Sequence, residues 1–179
     1  MDVGLPLAKI AVNISAMAFQ QESFLESVFA TLKETGLDPP CLELELTESV
    51  LMKHADSTKS ILESLRAEGI HVALDDFGTG YSSLSYLTKF PIDTLKIDQS
   101  FVRQITTTPS ETTIVRAVIG MGRSLKLHVI AEGVEMQEEL AFLQAQQCDE
   151  AQGYYFSRPL AAPQFAQLLQ LGIAENVLR

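Results

Sequence analysis

Short runs of Val, Ile and Leu alternate along the chain with longer stretches in which apolar residues recur every three or four positions. The runs at residues 10–14, 42–46, 71–74, 94–97 and 129–131 predict strands, with a short sixth near Ala151. Such apolar runs suit strands covered on both faces. Between them, Phe24, Val28 and Leu32 share one helical face, as do Ile61, Leu62 and Leu65, and further on Ile114, Val118 and Met121. Gly36 and Gly69 follow helical segments, where a left-handed turn carries little steric cost. Pro39-Pro40 blocks a helix from running into the strand at Leu42, and Pro109, Ser110 and Glu111 suit the first turn of a helix from Thr112.

Two strand segments echo each other. Ile70-His71-Val72-Ala73-Leu74-Asp75 and Leu127-His128-Val129-Ile130-Ala131-Glu132 both read apolar-His-Val-apolar-apolar-acid, with a glycine soon after. Strand ends recur about every 20 to 35 residues, as repeated β/α units require in a parallel barrel or an open sheet. No linker or low-complexity stretch interrupts residues 1–179, which predicts one domain of about six such units.

Composition narrows the class. Hydrophobic residues make up 46% and charged residues 20%, the balance of a globular protein. No apolar run approaches the roughly 20 residues of a membrane span. Met1-Asp2-Val3-Gly4 opens no signal peptide, so a cytoplasmic location is expected. Cys41 and Cys148 lack motif spacing and read as reduced, buried thiols. A net charge of −10 argues against binding nucleic-acid polymers. A small phosphorylated ligand would need local positive charge, most simply from bound metal.

The acids fall at informative positions. Asn13, Glu45, Asp75, Asp98 and Glu132 each close, or nearly close, a different predicted strand, and the active sites of β/α folds are built at that end. A lone strand-end acid is as often a cap or ion-pair partner; four acids and an amide in register are not so easily set aside. Asp75 and Asp76 are neighbours, and two carboxylates in a confined site repel unless a cation neutralises them. Asp, Glu and the Asn carbonyl are hard donors for Mg²⁺, Mn²⁺ or Ca²⁺. A consecutive pair on a strand end faces two directions, one acid toward each of two metals, and two metals about 4 Å apart would clamp a phosphoryl transfer. Lys96 is placed either to steady a water or phosphate oxygen or simply to pair with an acid. Glu132 is a candidate general base. His71 and His128 start their strands, away from the acids, and His54 shows no ligand spacing.

Taken together, Val12-Asn13-Ile14-Ser15, Leu44-Glu45-Leu46-Thr47-Glu48-Ser49, Asp75-Asp76-Phe77-Gly78-Thr79-Gly80-Tyr81-Ser82-Ser83, Leu95-Lys96-Ile97-Asp98, Ala131-Glu132-Gly133-Val134-Glu135 and Gln152-Gly153-Tyr154 resemble, in order, the motifs of the EAL domain family. The resemblance spans residues 7–169. It implies a modified (β/α) TIM-type barrel that hydrolyses cyclic di-GMP to linear pGpG with Mg²⁺ or Mn²⁺ in a two-metal site, Ca²⁺ being inhibitory. It further implies that Asn13, Glu45 and Asp75 ligate one metal, that Asp76 holds a second, and that Lys96 contacts the attacking water. Glu132 would be the general base or a further metal-site acid. Glu48 would order the loop after Asp76, through which the family forms a homodimer. Glu135 and Gln152 would line the site, with Asp98 supporting it.

One departure stands out. The Glu-Ala-Leu motif that names the family, and the arginine after it, have no counterpart here. The barrel is therefore expected to be incomplete at its N-terminus, since eight units need about 250 residues, and this chain to be weakly active or inactive alone. The alternative is a non-catalytic cyclic di-GMP receptor or protein-interaction module. Another metal-dependent barrel, an aldolase or an enolizing enzyme, is disfavoured by the lack of a second lysine or a histidine at strand ends.

Overall fold

The computed structural model describes residues 9–52, 55–79, 87–106 and 109–170. Six strands form one sheet in sequential order: β1 (Ile10–Asn13), β2 (Leu42–Thr47), β3 (His71–Phe77), β4 (Thr94–Ile97), β5 (His128–Ala131) and β6 (Glu150–Ala151). Every neighbouring pair is parallel. Right-handed crossovers without a reversal of strand order keep all helices on one face, so the sheet curls into a half-barrel. That order decides between the two architectures left open by the strand spacing, because an open doubly wound sheet reverses at a switch point.

The helices are α1 (Ala16–Phe19), α2 (Phe24–Thr35), α3 (Glu48–Met52), α4 (Ala55–Ala67), α5 (Gln99–Val102), α6 (Pro109–Leu125), α7 (Gln137–Ala145) and α8 (Ala162–Gln170). Ser15 caps α1 by accepting the Ala18 N–H at 3.2 Å. Gly36, at φ +70°, ends α2, and Pro39–Cys41 forms a 3-10 turn into β2. Leu62 and Leu65 of α4 are fully buried and Ile61 half-buried, as their shared helical face predicts.

The expected face of α6 needs correction. Ile114 is 37% exposed, whereas Val115, Val118 and Ile119 are buried. The cause is Gly122, where a Cβ would lie 2.3 Å from Val129 Cγ2. The helix crosses β5 at that glycine, and the face containing it, one position round from Ile114, meets the sheet. The helix also begins at Pro109, three residues before the expected Thr112.

Strand register sorts the side chains. Leu44, Val72, Leu74, Leu95 and Val129 point toward the helices and join the buried core. The opposite, concave face carries Glu43, Glu45, Ala73, Asp75, Thr94 and Lys96. TIM-type barrels usually fill that interior with branched apolar side chains; here much of it is charged.

The echoed segments also match in structure. Asp93 Oδ2 accepts the Val72 N–H at 3.0 Å, and Asp149 Oδ2 accepts the Val129 N–H at 2.8 Å. Each aspartate precedes the next strand and lies beside the histidine that starts its own, His71 or His128. Both histidines therefore sit at the end of the sheet away from the acids, as expected. His54 lies outside the described residues.

Candidate active site

The carboxylates meet at the C-terminal ends of β2 to β5, and a defect in β3 brings them together. Ala73 and Leu74 pair with Thr94 and Leu95, but the next pair is Phe77 with Ile97. Two residues, Asp75 and Asp76, therefore oppose the single Lys96, which is a β-bulge. Asp76 has φ +54°, a left-handed conformation costly for most residues but within reach of aspartate. In a regular strand the two side chains would point to opposite faces. The bulge instead leaves carboxylate oxygens of Asp75, Asp76 and Glu132 all within 4.8 Å of one another. The two carboxylates thus stay close enough to share a metal site, and β3 runs to Phe77 rather than ending at Leu74.

Lys96 is the counter-ion of this cluster. It is 3% exposed, and its Nζ lies 2.6 Å from Glu45 Oε1, 2.5 Å from Glu132 Oε1 and 3.6 Å from Asp75 Oδ1. Burial alone would lower its pKa, but hydrogen bonds to Glu132 and Glu45 prevail and hold the ammonium above the ordinary lysine range. One ammonium does not offset all the acids around it. Burial raises the Glu132 carboxyl above its ordinary value against the opposing bond to Lys96, with Asp75 and Glu45 pushing the same way. Asp76 is raised by burial first, then by the charges of Asp75 and Asp98 and a hydrogen-bond contact with Asp98. The site is short of positive charge, and its donors are hard oxygens, so it fits a divalent cation such as Mg²⁺ or Mn²⁺.

The remaining expected residues fall as follows. Asn13 lies opposite Glu45 in register at the end of the exposed edge strand β1. Asp98 caps α5, accepting the Ser100 N–H at 2.9 Å and a short bond from the Ser100 hydroxyl. Gln152 donates to Glu132 Oε1 at 2.7 Å. Glu48 is the first residue of α3, directly after β2, and is half-buried. Glu135 is not in the carboxylate cluster; it pairs with Arg103 at 2.7 Å. The loop expected to carry a dimer contact continues into residues 80–86, outside the described residues.

Gln99, Arg103, Arg158 and Glu139 were not singled out from the sequence, whereas Glu135 and Gln152 were. Beside Glu132 opens a cleft of about 470 Å³, lined by Gln99, Arg103, Glu135, Gln152, Tyr154 and Arg158, among others. The Arg158 guanidinium lies 4.6 Å over the Tyr154 ring. Two arginines thus lie beside the acidic cluster, Arg103 paired with Glu135 and Arg158 stacked on Tyr154. Glu139, fully buried at the start of α7, accepts the N–H groups of Glu135 and Met136 and so fixes the loop after β5. The N-cap residue of α7 is Met136 rather than a Ser, Thr, Asp or Asn, so the sequence carried no capping signal for it.

Both cysteines are free. Cys41 is buried as expected. Cys148 is only partly covered, and burial pushes its thiol up to about 11. Among the described residues, no helix is long and apolar enough to cross a membrane.

Comparison with known proteins gives a consistent result. The model of the EAL domain family matches residues 2–159. The chain is 43% identical over 162 residues to the cyclic di-GMP phosphodiesterase NbdA of Pseudomonas aeruginosa, covering 90% of this chain and 21% of NbdA. Among solved structures, it is similar to the MucR phosphodiesterase in complex with cyclic di-GMP, at TM-score 0.85 and 42% identity over 88% of this chain and 64% of that one. It also resembles the manganese and cyclic di-GMP complex of BlrP1 from Klebsiella pneumoniae, at TM-score 0.78 and 35% identity, covering 84% and 39%. The chain spans about a fifth of the length of the curated relatives it matches.

Proposed function

This chain belongs to the EAL domain family, and from that premise we propose that it is a single EAL-type unit whose site hydrolyses cyclic di-GMP to pGpG with divalent metal. The observation that carries the reading is the convergence of Asp75, Asp76 and Glu132 around one protonated lysine. Asn13, Glu45, Asp75, Asp76 and Glu132 are the candidate holders of Mg²⁺ or Mn²⁺. Such ions, when bound, supply Lewis acidity at a phosphoryl oxygen and lower the pKa of a water.

The chain's own groups do the rest. Arg103 and Arg158 draw the dianionic substrate into the cleft beside Glu132. Lys96, held protonated, orients the attacking water and offsets charge building on the phosphoryl oxygens. Glu132 takes the water proton as its oxygen bonds to phosphorus. The bond from phosphorus to the ribose O3′ breaks, O3′ takes a proton from solvent, and the linear dinucleotide leaves with a 5′-phosphate. Gln152 fixes the Glu132 oxygen that also meets Lys96, leaving the other oxygen to act as base. Glu48, Asp98 and Glu135 support the surrounding loops, and homodimerisation through the segment after Asp76 is part of the proposal.

Chromatography of products after incubation of the chain with cyclic di-GMP and Mn²⁺ tests the reading. Slow appearance of pGpG, abolished by EDTA, is the expected result. Tight binding with no pGpG at any metal concentration would favour the receptor reading, which is supported by Lys96 already engaging Glu45 and Glu132. Neither binding nor turnover would overturn both.

A further inference from the structure

The charged interior of the half-barrel holds a second ion-and-hydroxyl bridge below the one just described, and the reading above gives it no role. Glu43 is 5% exposed, and Thr94 is 1% exposed. The Thr94 hydroxyl donates to Glu43 Oε2 at 2.8 Å, and Lys9 Nζ lies 3.5 Å from that oxygen. Glu43 is on β2 and Thr94 on β4, which are not neighbours, so the bond passes across β3. The Glu45–Lys96 contact passes across the same strand two residues higher.

Register explains how both crossings are possible. Glu43 is level with His71, while Glu45 is level with Ala73, which is level in turn with Thr94. Both bridges therefore rise diagonally from β2 to β4. The lower passes between His71 and Ala73, the upper between Ala73 and Asp75. Ala73, fully buried, lies between them with only a methyl group. A larger side chain there would occupy the space the two bridges share.

We infer that the Glu43–Thr94 bridge is a positioning device for the upper one. By tying β2 to β4 across β3, it fixes the separation at which Lys96 reaches Glu45 and Glu132 together. Lys96 makes two short contacts, 2.6 Å to Glu45 and 2.5 Å to Glu132, and charged hydrogen bonds of this kind weaken as they lengthen and bend. Two ties one layer apart also resist twisting of β2 against β4, which one tie does not. Glu43 and Thr94 touch neither a reacting atom nor the carboxylate cluster, so their action is through strand placement.

The test compares the wild-type chain with Thr94→Val, which keeps the shape but removes the donor, Thr94→Ser, which restores it, and Glu43→Gln, which keeps an acceptor but removes the charge. The primary readout is the Lys96 ammonium signal in ¹⁵N-labelled, metal-free protein, whose proton exchange reports how firmly the group is held. Thr94→Val is expected to speed that exchange at least fivefold, with Thr94→Ser and Glu43→Gln within twofold of wild type. The second readout is Mn²⁺ binding by calorimetry, expected to weaken about threefold to tenfold in Thr94→Val only, the ratio set by loss of one buried hydrogen bond.

Unchanged ammonium exchange in Thr94→Val would overturn the inference. So would an equal loss in Thr94→Ser, which would point to packing, or in Glu43→Gln, which would point to charge. Only the calorimetry rests on the metal reading. If the wild-type chain binds no Mn²⁺, that reading falls, and the ammonium comparison still decides the role of the bridge.

Discussion

Replacing Lys96 by Met tests whether the lysine is the cation that lets this site fold without metal. The side chain is 4% exposed, and its ammonium meets three carboxylates at 2.5–3.6 Å. Methionine fills similar volume, so packing changes little, but Glu45 and Asp75, both buried, lose their counter-charge. Removing one partner of a buried ion pair costs about 3–5 kcal/mol, because an uncompensated charge stays behind. Near-complete burial means solvent screening reduces that figure little. For a chain of this size it corresponds to a fall of roughly 6 to 20 °C in Tm. The measurement is urea and thermal unfolding by circular dichroism, in EDTA and again with Mn²⁺. In EDTA the variant should be destabilised by the full amount. Mn²⁺ at a hundredfold the variant's Kd should return about 2.7 kcal/mol, more than wild type gains at the same concentration, where the lysine already offsets the acids and weakens metal binding. Hydrolysis should be lost in both conditions. A Lys96→Met chain that unfolds in EDTA at the wild-type urea concentration would refute the reasoning, since the carboxylates would then not depend on the lysine.

Three further outcomes follow from the same geometry. The Asp76 and Glu132 carboxyls are raised above their ordinary values, so Mn²⁺ affinity should fall as pH drops through the window just above the usual carboxylate range. In metal-free protein the sign is opposite: groups with raised folded-state pKa lose their stabilising contribution as pH rises through that window, so Tm in EDTA should decline there and recover with Mn²⁺. Asp149→Ala should cost about 1 kcal/mol by leaving the Val129 N–H unpaired, with Mn²⁺ binding by calorimetry unchanged, because that bond is at the far end of the sheet. Gly153→Ala should be worse, at about 1–3 kcal/mol or more, since its Cβ would lie 2.2 Å from the Val134 carbonyl oxygen. Cyclic di-GMP binding should weaken with it, as the displaced loop carries Glu135.

Much of the half-barrel was legible because most strands are short apolar segments with a carboxylate, or at Asn13 an amide, at or near their ends. Asn13, Glu45, Asp75, Asp98 and Glu132 mark strand ends through chemistry that a buried strand otherwise avoids. The His-Val echo likewise announced two equivalent units, and both turned out to be anchored by an aspartate from the following loop. What stayed hidden depended on more than one strand at once. The bulge at Asp75 and Asp76 exists only relative to Lys96 on β4, and periodicity within β3 carries no sign of it. The Glu43–Thr94 bond joins residues 51 apart. The alternation in Leu42-Glu43-Leu44-Glu45-Leu46, which puts Glu43 on the inward face with Glu45, was passed over in reading the segment as an apolar run. The α6 face was misread because Ile114 is apolar, while the contact is set by what Gly122 lacks.

The bulge also bears on how such a site can be lost. Substituting Asp76 leaves the extra residue and its left-handed backbone in place. Deleting it would restore two-residue alternation along β3 and let Phe77 keep its pairing with Ile97 without the conformational penalty at φ +54°. A single in-frame codon deletion would therefore remove one of the converging carboxylates and relax the strand in the same event. Loss of a candidate metal ligand and relief of backbone strain would therefore fall together at that position.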